Sequence, residues 1–496
     1  MNELGFDLKK PRDIIKKKYY RVKFQLTAGM SVGSGENNAT DKDIIRDSRG
    51  LPFIPGTSLA GIYRSLFEKT GVFSNSEADP DLYFGMVEIS RGSRSNEKRM
   101  ATMSSRIITF DGQNSLNEES AIVSRRDCVK LNAFRSSVTG SKFDFEIVEP
   151  GAVFTTYFIQ DFYSYDDKKV GDMIASAWKN DLIHIGSKTM RGLGAVKVQS
   201  LEFTEFDMNA PEKWLKFDMY EENTQEWKTF EPDKAVEIVD TTCDIIQLGL
   251  KQEGGISIRR YTTDIAVDPE TPSPDFTQLT YGKADIPIIP GTSWAGTFRH
   301  HIFELLGGSG EENDLKDEDS KKAAAIIKEF MGKCDIRTKN KKENVLMKNQ
   351  STIKKTEELE KIEEKKKSKV YFSESILDGA SSKVMTRVAI DRFTGGAASK
   401  ALFVERTFYN GNTSLIIKVA NEPKDNRNQF MNALFASIAD LNEGILTVGG
   451  LSSIGRGLFS LTNISYNGTK IFERKEDEDP EISSQLIFRT LMEAAK

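Results

Sequence analysis

A twelve-residue stretch occurs twice in this chain and constrains its fold more than any other feature. Residues 53–64 read FIPGTSLAGIYR and residues 288–299 read IIPGTSWAGTFR, a displacement of 235 positions between Ile54 and Ile289 (289 − 54 = 235). In each copy an apolar strand end passes through a Pro-Gly turn into Thr57-Ser58 or Thr292-Ser293, residue types that cap helix N-termini. Leu59, Ile62, Tyr63, Leu66 and Phe67 then recur at helical spacing, as do Trp294, Phe298, Ile302 and Leu305. Gly71 and Gly307 stand where a helix C-cap is expected. A repeat this long implies two copies of one domain, so the second half is read in register with the first.

The flanking segments keep that order. Tyr20, Val22, Phe24 and Leu26 alternate as a half-buried strand and give way to a polar Gly/Asn-rich loop, 33–43. After the first helix come Tyr83-Phe84-Gly85, a strand from Ser105, and a hairpin drawn between Asp111 and Glu149. A further strand, an amphipathic helix containing Trp178, the loop 186–194 and a last strand complete the set. In the second half Phe330-Met331-Gly332 stands for Tyr83-Phe84-Gly85, and Ser368 for Ser105. A hairpin opens at Thr386, and the loop 449–457 closes the repeat. Strands, helix, hairpin, helix and strand in each half make two tandem α+β domains. The boundaries expected are 1–205 for the first domain, 206–232 for a connection and 233–470 for the second. A Lys/Glu-rich insertion spans 308–368 and a C-terminal tail 471–496.

Composition narrows the class. The 496 residues leave ample length for full-size cores, and a net charge of −5 gives no support to a nucleic-acid partner except on local basic patches. Cys128, Cys243 and Cys334 form no CxxC pair, which argues against a disulfide framework or a thiolate zinc site and suits a reducing cytoplasm. The N-terminus lacks a signal-peptide pattern, and no apolar run reaches membrane-spanning length. A soluble intracellular protein without a membrane partner is expected.

Three stretches bear chemistry. Each Pro-Gly-Thr-Ser helix start gathers unpaired N–H groups at the positive end of a helix dipole, and Arg64 or Arg299 follows within two turns. Ordinary capping is the alternative to anion binding there. Gly61 and Gly296 weigh against it, because glycine inside a helix costs about 1 kcal/mol relative to alanine and something must approach closely to keep it. The loops containing Lys188, Arg191, Gly192 and Gly194 and, in the second half, Gly455, Arg456 and Gly457 form either phosphate cradles or tight packing turns. In the first polar loop Glu36, Asp41, Asp43 and Asp47 bring carboxylates near these anion-binding candidates, a combination that calls for a divalent cation between them. His184, His300 and His301 are the only histidines and offer no metal pair at helical spacing.

Taken together and in this order, these motifs resemble the RAMP superfamily of CRISPR proteins. The closer likeness is to the backbone subunits of type III effector complexes. The likeness rests on Thr40-Asp41, Ile54 to Gly61, Ser105-Arg106, Arg387 to Gly395 and the two Gly-rich loops, and the two copies resemble the tandem fusions of type III-D systems. The resemblance implies two modified RRM-like (ferredoxin-like) domains, each gripping crRNA and projecting a β-hairpin thumb that kinks the guide–target duplex and displaces a base. It implies partners in crRNA, complementary target RNA and other effector subunits, and a place in antiviral defence. It puts Arg392 and Phe393 on the second thumb, and Thr57, Ser58, Thr292 and Ser293 at the RNA-facing helix starts. It makes Asp41 the residue supporting Mg²⁺- or Mn²⁺-dependent cleavage of the target. The second loop departs from the pattern and leaves two candidates: Asp264 matches the Thr-Asp dipeptide, Asp275 the distance to the Pro-Gly turn. The hairpin Arg126 to Asn132 is a degraded version of Arg387 to Asp391. Two readings follow, an endoribonuclease subunit or a purely structural crRNA-binding subunit; histidine-based crRNA processing is disfavoured by the scarcity of histidine.

Overall fold

The computed structural model describes residues 13–495 apart from 36–38, 71–79, 92–97, 115–120, 133–135, 222–225, 234–241, 261–273, 283–284, 311–316, 333–366, 423–424 and 475–483. It divides into two compact units. The first holds Met1–Arg125, Phe145–Thr242 and Tyr281–Lys283; the second holds Arg126–Asp144, Cys243–Thr280 and Ala284–Lys496.

The first repeat runs β1 (Lys16–Leu26), α1 (Gly56–Thr70), α2 (Pro80–Phe84), β2 (Ile107–Thr109), β3 (Val123–Cys128), β4 (Phe143–Val148), β5 (Val153–Phe162), α3 (Val170–Lys179) and β6 (Val196–Asp207). Antiparallel pairing gives the order β6-β1-β5-β2. With α1 and α3 in the two crossovers, this is the βαββαβ plan of a ferredoxin-like domain. The second repeat runs β7 (Cys243–Gln252), β8 (Phe276–Gln278), α4 (Gly291–Leu305), α5 (Glu318–Met331), β9 (Val370–Phe372), β10 (Ser381–Ile390), β11 (Ala397–Tyr409), β12 (Asn412–Ala420), α6 (Arg427–Asn442) and β13 (Phe459–Tyr466). Its order, β13-β7-β12-β9, is the same plan. Even an irregularity repeats: the register slips between Lys23 and Phe24 against β6, and between Gly249 and Leu250 against β13.

Strand alternation explains the cores. Tyr20, Val22 and Phe24 put one face of β1 against Leu59, Tyr63 and Phe67 of α1 and Ile174 and Trp178 of α3, all buried. Tyr20 stacks on Phe158 with ring centroids 4.4 Å apart, and the Trp178 indole N–H donates to the Tyr63 hydroxyl at 3.1 Å. In the second core Ile246, Leu248 and Leu250 meet Trp294, Phe298 and Ile302 of α4 and Phe430, Leu434 and Ile438 of α6. Leu305, expected on that stripe, is 44% exposed because it lies in the last residue of α4. Gly307 does end the helix: it has φ +88°, its N–H donates to Glu304 C=O, and Gly308 N–H reaches back to Phe303 C=O. Gly71 lies outside the described residues.

Several expectations change. The hairpin drawn from Asp111 to Glu149 is shorter, because Gly112–Asn114 leaves it to pair with Phe53–Ile54 and with β5; the hairpin is β3–β4. Within the stretch 206–232, Trp214, Phe217 and Trp227 cover Tyr19 and Phe206, and the Trp214 indole donates to the Tyr19 hydroxyl at 2.7 Å. Beyond residue 470, an edge strand, Thr469–Glu473, is followed by a helix, Ser484–Ala494, whose Ile487 and Leu491 enter the second core. The stretch 308–368 contains α5, capped by the Asp317 carboxylate on Ser320 N–H at 2.7 Å; residues 311–316 and 333–366 lie outside the described residues. Among the described residues no helix is long and apolar enough to cross a membrane.

Candidate functional site

β6 and β13 are each entered through a Gly-rich loop, and the two loops have one backbone conformation. Gly186 and Gly449 both have φ +91°; Lys188 and Leu451 follow at +57° and +62°, Gly192 and Gly455 at +86° and +77°, Gly194 and Gly457 at +76° and +74°. Ser187 N–H donates to Ser31 C=O at 2.8 Å, as Gly450 N–H does to Ser257 C=O at 2.8 Å. A Cβ on Gly194 or Gly457 would lie 1.9 or 2.0 Å from the carbonyl oxygen of Ile185 or Val448, so glycine is required at both. This superposition places Arg191 opposite Ile454 and Leu193 opposite Arg456. Arg191 and Arg456, paired in the sequence reading, are therefore not counterparts.

Two of the loop cations face inward. The Lys188 ammonium sits 3.0 Å from the centroid of the Phe145 ring on β4. Arg456 is 3% exposed and pairs with Glu405 of β11, whose carboxylate also accepts Arg387 Nε at 2.7 Å. Phe145 and Glu405 occupy one position, each three residues before the bridge that returns to the first strand region (Met30 to Val148, Ile256 to Phe408). Lys188 and Arg456 thus brace their loops against the second hairpin strand.

The repeated helices begin at Gly56 and Gly291, with Pro290 at the N-cap position of α4 and no side-chain cap bond. Thr57, Ser58, Thr292 and Ser293 consequently lie in the first turn rather than at the cap. Ser58 and Ser293 N–H turn back to the Pro55 and Pro290 carbonyls, both at 2.9 Å. Gly56 N–H is taken by the Asp111 carboxylate at 2.7 Å, so a side chain already occupies part of that helix terminus. Arg64 pairs with Asp81 and donates to Gly85 C=O at 3.0 Å; Arg299 donates to Gly332 C=O at 3.0 Å. Both arginines hold the end of the following helix. Thr57, Gly61, Thr292 and Gly296 are exposed, and a Cβ on either glycine would meet nothing within 4 Å. No part of the described chain explains those helix glycines.

The acidic loops also superpose, through register. Gly33 bridges Ile44, and Arg259 pairs with Gln278; both Gly33 and Arg259 stand three residues after the Met30 and Ile256 bridges. Counting back three residues from Ile44 and Gln278 makes Asp41 and Asp275 counterparts. Asp264 lies outside the described residues, as does Glu36. Each acid precedes the residue where its loop meets the second hairpin strand: Glu146 N–H donates to Lys42 C=O at 3.0 Å, and Phe276 pairs in parallel with Glu405. Their settings differ. Asp41 is exposed, and the loop under it is braced by Asp43, which accepts Ala39 N–H at 3.0 Å, Thr40 N–H at 2.8 Å and the Thr40 hydroxyl at 2.8 Å. Arg46 binds Glu146 of β4 through two hydrogen bonds, at 2.9 and 2.8 Å, and so ties this loop to the hairpin. Asp275 is exposed too, but its Oδ2 accepts Val404 N–H at 2.7 Å, which fastens the acid to β11. Glu146, Arg46 and Glu405 were missed as positioning residues in sequence because their partners are distant along the chain.

At the tip of β10–β11, Arg392 is exposed and Phe393 is 98% exposed. The turn is built, not loose. Asp391 Oδ1 accepts Phe393 N–H at 3.1 Å, Thr394 N–H at 2.8 Å and the Thr394 hydroxyl at 2.9 Å, and the Thr394 bonds hold its carboxyl below its ordinary pKa. Val388, Ile390 and Leu402 of the same hairpin are also exposed. Among the described residues no group of three or more His, Cys, Asp or Glu side chains could hold a metal by itself. His301 is engaged by Asp440 at 2.6 Å and His300 faces Glu304 at 3.3 Å, both within the second core's helices.

No curated protein matches the chain. A family model described as the RAMP superfamily matches residues 23–197 and 281–460, one span in each repeat.

Proposed function

The chain belongs to the RAMP superfamily, whose proteins bind RNA and act in CRISPR complexes, and on that premise we propose that it is a crRNA-binding backbone subunit of a type III effector complex. Its tandem organisation is the kind found in type III-D-like systems. In this reading it cleaves complementary target RNA at the first repeat. The observation that carries the proposal is the seat of Asp41, an exposed carboxylate on a braced loop at its seam with a β-hairpin thumb.

Other features support the same reading. Glycines 61 and 296 open two helix faces to a ligand backbone, beside the exposed Thr57 and Thr292. Phe393 and Arg392 at the thumb tip offer a ring and a cation to a displaced base and its phosphate. With the target strand kinked at the thumb, its 2′-hydroxyl comes into line with the adjacent phosphate. Asp41 then accepts the hydrogen bond of that hydroxyl, and Asp43 and Arg46–Glu146 hold the loop at the required distance. A single carboxylate plus phosphate oxygens is a donor set that suits Mg²⁺ or Mn²⁺. When bound, the ion supplies charge stabilisation at the phosphate. Asp275, fastened to Val404, positions the second loop and does not cut.

The test is cleavage of guide-complementary RNA by the assembled complex with Mg²⁺. Asp41→Ala is expected to abolish cutting at the first repeat while guide and target binding persist. Undiminished cleavage at every position would make the chain a structural crRNA-binding subunit, with catalysis elsewhere in the complex.

A further inference from the structure

The outer face of the first sheet carries rings, and part of the same unit lies on them. Tyr19, Arg21 and Lys23 alternate with the buried Tyr20, Val22 and Phe24, and so share the face of β1 turned away from α1 and α3. Ile159 and Tyr157 of β5 pair with Tyr19 and Arg21 and belong to that face. Two tyrosines beside two cations on adjacent strands make a platform of the kind on which the bases of a single strand stack. Residues 211–221 and 226–229 supply its cover. Phe217 meets Tyr19 with ring centroids 5.2 Å apart, and Tyr220 meets Tyr157 at 5.3 Å. The Arg21 guanidinium lies 4.7 Å from the Trp227 ring and donates to Glu202 at 2.8 Å.

The cover is fixed at its ends and held by side chains between them. Met208 N–H donates to Ile15 C=O at 2.9 Å before it, and Lys228–Thr229 pairs with Phe203 and Glu202 after it. Between these ends Leu215 N–H returns to Pro211 C=O at 2.9 Å and Phe217 N–H to Trp214 C=O at 3.1 Å, turns that close on themselves. Trp214 and Phe217 are half-buried and Leu215 is 71% exposed. The Trp227 indole N–H is buried without an acceptor among the described residues, a defect that a core fitted for stability alone rarely keeps. In the second unit Ile245 and Gln247 stand for Tyr19 and Arg21, and Lys418 and Ile416 for Ile159 and Tyr157. There the helix Ser484–Ala494, after the last strands, enters the core on the opposite side of the sheet through Ile487 and Leu491. The paired rings and their aromatic cover therefore accompany each other in the first repeat.

We propose that residues 211–221 and 226–229 are a strap closing a base-stacking site on the first sheet. Single-stranded RNA reaches Tyr19 and Tyr157, with Arg21 and Lys23 at its phosphates, once the strap lifts. This site is additional to the loops and helix starts of the reading above and does not depend on them.

The probe is a labelled oligouridine, crosslinked to the full chain by ultraviolet light with the crosslinked peptides mapped, which reads contact at β1 and β5 apart from RNA bound elsewhere. Trp214→Ala/Trp227→Ala is expected to raise crosslinking at Tyr19 and Tyr157 about tenfold or more, the worth of one stacked base. Adding Tyr157→Ala should return the Tyr19 signal to the parent level, and adding Tyr157→Phe should keep the gain. No rise in a double variant whose circular dichroism matches the parent would overturn the proposal, because a merely structural cover loses stability without exposing a binding face. If the double variant does not fold, hydrogen exchange in the unsubstituted chain decides. Leu215 and Phe217 amides that open before those of Tyr19 and Tyr157 support a strap; amides that open only together with the sheet contradict it. Absence of RNA bound elsewhere on the chain would remove the crRNA-binding reading and leave this one standing.

Discussion

The junction between Gly-rich loop and second hairpin strand is solved twice in this molecule, by different chemistry. In the first repeat the Lys188 ammonium rests on the Phe145 ring; in the second, Leu451 replaces the lysine, Glu405 replaces the phenylalanine, and Arg456 arrives from five residues further along the loop. The first brace keeps one charge against an aromatic face. The second buries an ion pair and adds Arg387 from β10. A backbone held by glycines tolerates this exchange because the loop's shape depends on its carbonyl contacts and left-handed turns rather than on the bracing side chains. Shared shape with exchanged chemistry also separates the acids: Asp41 is an exposed carboxylate on a loop braced by Asp43, and Asp275 accepts Val404 N–H from the second hairpin strand.

The comparison breaks most readily at Glu405. Glu405→Ala leaves the buried Arg456 without its counter-charge and should cost about 3–5 kcal/mol in denaturant unfolding. A cost below about 1 kcal/mol would mean that the ion pair is not the brace. The shared backbone is tested next by Gly194→Ala and Gly457→Ala, which should each cost at least about 2 kcal/mol, from strain at positive φ and collision with a carbonyl. Loops of truly equal shape must lose comparable amounts. Phe145→Leu keeps an apolar side chain and removes the ring, so a loss of about 0.5–2 kcal/mol is expected from the cation–π contact. Gly61→Ala and Gly296→Ala are expected to stabilise the fold by about 0.5–1 kcal/mol while weakening RNA binding, since the added methyl meets open space within the chain. Stabilisation with unaltered RNA affinity would show that those helix faces serve something else.

The repeat, its helices and the order of elements were legible because they rest on local periodicity and on turn residues. Phe330 does stand for Tyr83: Lys369 N–H donates to Phe330 C=O as Arg106 N–H does to Tyr83 C=O. Ser368 likewise repeats Ser105, its hydroxyl accepting the N–H two residues ahead at 3.3 and 3.2 Å respectively. The direction of each cation was not legible. Whether Lys188 or Arg456 faces inward depends on Phe145 or Glu405, more than forty residues away in sequence. The Thr292 cap failed for a subtler reason, because Pro290 holds the extended φ and ψ of an N-cap residue and starts the helix at Gly291, two residues before a Thr292 cap would; the first helix likewise starts at Gly56, ahead of Thr57. Matching Asp41 to Asp275 needed the register of a bridge across a loop whose second copy is longer.

The difference between the acids is the account's central claim, and mapping of target-RNA cuts on a denaturing gel tests it most directly. The assembled complex with Mg²⁺ should lose the cut assigned to the first repeat in Asp41→Asn and keep its full ladder in Asp275→Asn. An intact ladder in Asp41→Asn, or a cut lost in Asp275→Asn with guide binding unchanged, would contradict it.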